Sequence, residues 1–173
     1  MAKTCAWCFK KTNLPDVFAA EAPLMIFMEE RIDAWCEKND VIFFPYETPG
    51  VSKTVDHKPT WQRWFDVFDQ IEAAGIDYNK IAVIDGSTLV KWDCPNFFDQ
   101  AKGQVSAFRS IENFRWISQG ADGYKDFFGG FEFDLKKYIS CGFQIFGKEH
   151  KQFLLELKDF YFSLPQNTKS EII

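Results

Sequence analysis

Lys80-Ile-Ala-Val-Ile-Asp-Gly-Ser-Thr-Leu-Val-Lys-Trp-Asp-Cys-Pro-Asn-Phe-Phe-Asp99 is the stretch on which the fold turns. Its apolar run, Ile81 to Ile84, has the length and β-branched content of a buried strand. Asp85-Gly86-Ser87 stops the run with a turn signal. A second short apolar piece, Thr88 to Trp92, follows, and a loop opens at Asp93-Cys94-Pro95-Asn96. In an open α/β sheet, ligands collect at the carboxyl ends of the strands. A carboxylate at that place, beside a glycine that admits close backbone approach, suits a divalent cation and the phosphates it carries. The competing reading is an Asp that only caps its own turn.

Upstream, the pattern alternates. Met25, Phe27, Met28, Ile32, Trp35 and Cys36 recur at roughly helical spacing, and Asn39-Asp40 ends that helix. Val41 to Phe44 is a continuous apolar run bounded by Pro45, as in a buried parallel strand. The segment from Glu47 to Pro59 reads as a long loop. Thr60 is placed to cap a helix carrying Trp61, Trp64, Phe65, Phe68 and Ile71, which closes near Ala74-Gly75. Thr4 to Phe9 is the candidate first strand. Strand and helix thus alternate up to Ile84, which predicts one α/β domain over residues 1–173 with a mainly parallel central sheet covered by helices.

Beyond the central stretch the signal is weaker. Val105, Phe108, Ile111, Phe114 and Trp116 suggest a helix within 100–119, and Gly120 to Gly130 reads as a glycine-rich loop. Tyr138 to Phe146 predicts another central strand. Glu149 to Phe162 predicts an amphipathic helix with Phe153, Leu154, Leu157 and Phe160 inward.

Composition excludes several classes. The chain has 173 residues, 46% hydrophobic and 26% charged, as expected of a globular domain. Its net charge of −5 argues against a duplex nucleic-acid partner, which requires a basic face. No apolar run approaches the roughly 20 residues that span a bilayer, and the N-terminus does not read as a signal peptide. A reducing, cytoplasmic location is the expectation. The five cysteines, Cys5, Cys8, Cys36, Cys94 and Cys141, form no disulfide framework. Cys5-Ala-Trp-Cys8 is a lone CxxC, with a thiol-active reading open beside a structural one. The Trp61, Trp64 and Phe65 cluster, and the basic group Lys148, His150 and Lys151, fit core packing and a solvated helix start, with base stacking and phosphate binding as the alternatives.

Two matched pieces resemble one family. Ile81-Ala-Val-Ile-Asp-Gly-Ser-Thr-Leu-Val is similar to the strand and Asp-x-Asp-Thr turn of nucleotide-sugar glycosyltransferases of the GT-A fold. Tyr138-Ile-Ser-Cys-Gly-Phe-Gln-Ile-Phe-Gly-Lys-Glu-His resembles the second signature of their glycogenin-like branch. The overall flavour is similar to small glycosyltransferases of phage and marine microbial sequences, over residues 24–162. The resemblance implies a turn that holds Mn²⁺ or Mg²⁺ on the diphosphate of a nucleotide-sugar donor, with transfer to an acceptor it does not identify. Asp85 matches the first Asp of the motif. Ser87 stands where the second is expected, a departure that lowers the charge available to a cation. Asp93 is the candidate second metal ligand. Gly86, Ser87, Ser140, Gly142 and Arg63 complete the implied donor site. The glycogenin-like branch continues past the helix matching Glu149 to Tyr161, whereas this chain stops at Ile173, so a minimal, truncated or chemically silent version is the expectation. A degenerate GT-A-like module, binding nucleotide, sugar or a protein partner without catalysis, is the alternative to a working transferase.

Overall fold

The computed structural model describes residues 2–7, 22–45, 59–85, 88–109, 114–125 and 129–168; for 2–7, 22–29, 59–63, 116 and 141 it describes the backbone alone. In chain order the elements are β1 (Ala2–Trp7), α1 (Ala22–Lys38), β2 (Val41–Pro45), α2 (Pro59–Ala73), β3 (Tyr78–Ile84), β4 (Ser106–Arg109), α3 (Phe114–Tyr124), β5 (Ile139–Gly147) and α4 (Lys151–Ser163). Single 3-10 turns lie at Phe97–Asp99, Leu135–Lys137 and Lys148–His150.

The strands form one sheet in the order β2-β1-β3-β5-β4. β1 pairs in parallel with β2 and β3, whereas β5 runs antiparallel to both β3 and β4. The expected mainly parallel sheet is therefore corrected to a mixed one, in which two of the four ladders are antiparallel. The reason lies after β3. A parallel return needs a crossover, usually a helix, and the strand–helix alternation that supplies one ends at Ile84. Among the described residues from 85 to 105, the one regular element is the turn at Phe97–Asp99. β5 enters later, between β3 and β4, pointing against both.

β3 sits at the middle of the sheet, and its apolar run is explained by burial on both faces. Ala82 and Ile84 face a core made by Ile32, Trp35 and Cys36 of α1, Val90, Phe98 and Ala101 of the following segment, and Phe143 and Ile145 of β5. Ile81 and Val83 face the opposite core, with Val67, Phe68 and Ile71 of α2, Phe146 and Leu154. Each buried valine, leucine or isoleucine among them contributes about 1.5–3 kcal/mol.

The helix ends follow local chemistry. Asn39 Nδ2 donates to the Trp35 carbonyl at 2.8 Å, and Asp40 takes a left-handed φ of 53°, ending α1 where Asn39-Asp40 was expected to. Gly75, at φ 72°, ends α2: its N–H donates to the Glu72 carbonyl and the Ile76 N–H to the Ile71 carbonyl, the paired bonds of a Schellman cap. Thr60 lies inside α2, one residue after Pro59, rather than capping it. Proline is well suited to the first turn, where its missing N–H would have had no helical partner.

Two sequence expectations fail in the second half. Val105 to Phe108 is not helical: Ser106–Arg109 is the edge strand β4. The stretch expected as a glycine-rich loop begins as helix, since α3 runs through Gly120 and Gly123 to Tyr124, while Gly129 and Gly130 lie in a turn. α3 is anchored by Ile117, which is buried, so packing overrides glycine's poor propensity. On α4, Leu154 and Tyr161 point inward, whereas Phe153 and Phe160 are exposed, 56% and 46%. Leu154 and Leu157 thus face the core as expected, whereas Phe153 and Phe160 do not, and Tyr161 takes the inward place expected of Phe160.

At the amino end of β3, a polar cluster ties three elements together. The Tyr78 hydroxyl donates to Glu72 Oε1 at 2.7 Å, and Lys151 Nζ donates to Glu72 Oε2 at 2.7 Å while lying 3.3 Å from Asp69 Oδ1. The Lys151 hydrogen bond, then that of Tyr78, holds the Glu72 carboxyl below its usual range. The same bond holds the Lys151 ammonium above its own. Burial first, then Glu72, pushes the Tyr78 phenol well above its ordinary value. Stability from Glu72 is thus present above the carboxyl pKa of the unfolded chain, about 4.3, and is lost as pH falls through the lower folded value. Since Glu72 is 39% exposed, its pairing with Lys151 is worth at most about 1 kcal/mol. Urea unfolding of Glu72→Gln should show a deficit at pH 7 that closes below about pH 4; a deficit independent of pH would contradict this origin.

Candidate functional site

The end of β3 is where the sequence-predicted site residues meet. Asp85 follows Ile84 directly and is half-buried. Its backbone N–H donates to the Gly142 carbonyl at 2.8 Å, and its own carbonyl accepts from the Thr88 N–H at 2.9 Å. The Thr88 hydroxyl lies 3.4 Å from the Gly142 carbonyl, to which it donates, and the Gly142 N–H donates to Ser140 Oγ at 3.2 Å. Asp85, Thr88, Ser140 and Gly142 therefore form one oxygen-rich group, drawn from β3, its following segment and β5.

A break in the sheet assembles it. β5 keeps register with β3 from Lys80↔Gly147 to Ile84↔Phe143. Against β4 the register slips: Ala107 pairs with Gln144, but Arg109 pairs with Ile139. Residues 140–143 thus leave the β4 ladder while remaining beside Asp85. Such irregularities re-aim backbone and are common next to active sites.

Gly142 faces this group. A Cβ on it would lie 3.6 Å from Ser140 Oγ, 3.9 Å from Asp85 Cβ and 4.0 Å from Thr88 Oγ1. These are ordinary van der Waals separations, so nothing in the fold requires glycine here. Its missing side chain leaves a small hollow rimmed by a carboxylate-bearing residue and two hydroxyls.

An apolar cleft of about 370 Å³ adjoins the hollow. Thr88 lines it, with Leu89, Cys94, Phe97, Phe108 and Phe143 among its other walls. Its floor is fixed from α1: Trp35 Nε1 donates to the Cys94 carbonyl at 2.8 Å, and Lys38 Nζ to the Trp92 carbonyl at 3.0 Å. Lys80 Nζ donates to the carbonyls of Phe98 and Ala101 at 2.9 and 2.6 Å, pinning the far side of the same segment to β3.

The other candidates divide as follows. Asp93 is exposed and lines the cleft. Gly86 and Ser87 lie outside the described residues, as does Cys8. Arg63 is on α2 and Cys5 on β1, with side chains that are likewise outside them. Among the described residues, no group of three or more Cys, His, Asp and Glu could hold a metal ion, and no helix is long and apolar enough to cross a membrane. Burial first, then the charge of Asp93, holds the Cys94 thiol above its usual range, which disfavours the thiolate. The basic group at α4 is absorbed structurally: Lys148 pairs with Asp77 at 3.6 Å, and His150 Nδ1 accepts from the Gly147 N–H at 2.8 Å. Thr88 and Phe108 escaped the sequence reading as site residues. The one local signal was a hydroxyl three positions after Asp85; the aromatic wall comes from distant strands.

The fold has a solved counterpart. The chain is similar to the crystal structure of a glycosyltransferase involved in the glycosylation of the major capsid of PBCV-1, with a TM-score of 0.60 over 96% of this chain and 69% of that one. The fold is glycosyltransferase-like. At 11% identity the likeness is one of glycosyltransferase architecture and assigns no residue a role. It supports neither the glycogenin-like branch nor a phage or marine source. No family model matches the chain, and no curated protein does.

The hollow makes a stability prediction. Gly142→Ala should unfold within about 1 kcal/mol of the parent chain, as its methyl meets only ordinary contacts. A loss above about 2 kcal/mol in urea titration would place protein atoms where the hollow is drawn.

Proposed function

We propose that the chain is a glycosyltransferase that takes its sugar from a nucleotide-diphosphate donor, with the diphosphate held at Asp85. The observation that carries this reading is the hollow at Gly142, opening between Asp85, Thr88 and Ser140 at the carboxyl end of a central strand in a glycosyltransferase-like fold.

The donor set fits a hard cation borne by the substrate better than a resident one. Mn²⁺ and Mg²⁺ favour oxygen ligands, and Mg²⁺ keeps several waters, using one or two carboxylates together with substrate phosphates. Asp85 supplies one carboxylate, and the hydroxyls of Ser140 and Thr88 are neutral oxygens at the same hollow; Asp93 is the candidate second carboxylate. When bound, such an ion neutralises charge growing on the leaving nucleotide diphosphate. Asp85 anchors that end of the donor, and the absent Gly142 side chain leaves space for it. The ladder to β5 keeps the carboxylate from swinging away as the bond to the sugar breaks. An acceptor hydroxyl in the adjoining cleft forms the new glycosidic bond as the bond from sugar to diphosphate breaks, and its proton passes to solvent or to the departing nucleoside diphosphate.

A module that binds donor without turnover is the second reading. It is favoured by the serine at position 87 and by the single carboxylate at the hollow among the described residues. The two readings share the site and differ in chemistry: only a transferase releases free nucleoside diphosphate from a nucleotide sugar.

Thermal unfolding with uridine or guanosine diphosphate and Mn²⁺ tests the shared site. Ligand at about 100 times its Kd should stabilise the parent chain by about 2.7 kcal/mol, several degrees in Tm. Mn²⁺ alone should add little, and Asp85→Asn should abolish the shift. An unmoved Tm at millimolar nucleotide and metal, or an undiminished shift in Asp85→Asn, would remove Asp85 from the function.

A further inference from the structure

The cleft beside the hollow has a construction that donor binding does not use. Its outer wall is Phe108, on the edge strand β4 and 61% exposed. A phenylalanine this exposed is usually poorly fixed, yet this one stacks on Phe143 at 4.6 Å and 29°. Phe143, itself buried, meets the edge of Phe97 at 4.9 Å and 88°. Phe97 stacks on fully buried Trp35 at 4.1 Å and 6°. Four rings thus run from α1 to solvent, each fixing the next. The last is a preoriented aromatic surface lining a cleft of about 370 Å³, within the size range of small-ligand sites.

Charge decides what the cleft suits. Its lining carries one cation, Lys91, and one carboxylate, Asp93. That balance leaves no net positive charge for a diphosphate, and the proposed donor brings its own cation to the Asp85 carboxylate, so a neutral ligand suits the cleft. The electron-rich face of a phenyl ring attracts partly positive C–H edges, which one face of a pyranose supplies. The Thr88 hydroxyl and the Asp93 carboxylate are within the same lining to meet sugar hydroxyls. Thr88 also joins the two compartments, because its N–H is bonded to the Asp85 carbonyl.

We infer that this cleft is the acceptor site, and that it takes a neutral sugar laid face-on against Phe108. The inference rests on the donor reading of Asp85, but its test does not. Saturation-transfer NMR on the full chain, without nucleotide or metal, would use the methyl glycosides of glucose, galactose, mannose, xylose and fucose at millimolar concentration. At least one should receive saturation at the C–H protons of one ring face. Phe108→Ala should reduce that signal at least fivefold while leaving Tm nearly unchanged, because the ring is mostly exposed. Phe108→Trp should retain it, and so should Asp85→Asn, which separates this site from the donor's. No transfer to any glycoside, a signal unaffected in Phe108→Ala, or binding of indole in preference to every glycoside would overturn the inference. Nucleotide stabilisation could survive all three of those results.

Discussion

The bond from the Asp85 N–H to the Gly142 carbonyl is the constraint on which the site depends. It closes the β3–β5 ladder at the point where β5 has already left β4. Without the slip, residues 140–143 would be paired on both sides and lie within the plane of the sheet. Without the bond, the freed backbone would have no reason to stay beside the carboxylate. Together they bring Ser140 and Gly142 next to Asp85, although more than fifty positions separate them in sequence. The rest of the architecture then acts as support: two cores bury β3 on both faces and leave its end little freedom to shift.

A second constraint shapes the neighbouring space. The segment after Asp85 has little regular structure of its own, and irregular backbone keeps a form only when its polar groups find partners. Here the partners come from side chains. Trp35, Lys38 and Lys80 reach the carbonyls of Trp92, Cys94, Phe98 and Ala101, while Asn96 Oδ1 accepts from the Phe98 N–H. One stack of aromatic rings and one set of side-chain donors therefore hold the loop in place. The Asp85 end and the apolar cleft share Thr88, so a change in the loop should be felt at both.

Much of this was legible before any coordinates, and the limits are instructive. Ile81 to Ile84 announced a central strand because continuous apolar runs bounded by turn residues occur where both faces are buried. Trp64 to Ile71 announced α2 because its period is helical, and Tyr138 to Phe146 announced β5. The direction of β5 was not legible: periodicity gives a strand but not its partner. α3 was hidden by Gly120 and Gly123, whose local preference is overridden by the burial of Ile117. β4 was hidden because Phe108 fits a helical spacing by coincidence. At the site, Asp85, Ser140 and Gly142 could be named from a resemblance, and the structure gathers them. The aromatic wall could not be named, since Trp35, Phe97, Phe108 and Phe143 come from four separate segments.

The proposed function requires that a cation carried by a diphosphate sit in the hollow between Asp85 and Gly142. Paramagnetic broadening by Mn²⁺ in the presence of nucleoside diphosphate reads that place directly from backbone amide NMR. The amides of Asp85, Thr88, Ser140 and Gly142 should broaden first, ahead of those on α4 and at Glu72. Broadening centred elsewhere, or spread evenly over the acidic surface with these four amides still sharp, would contradict it.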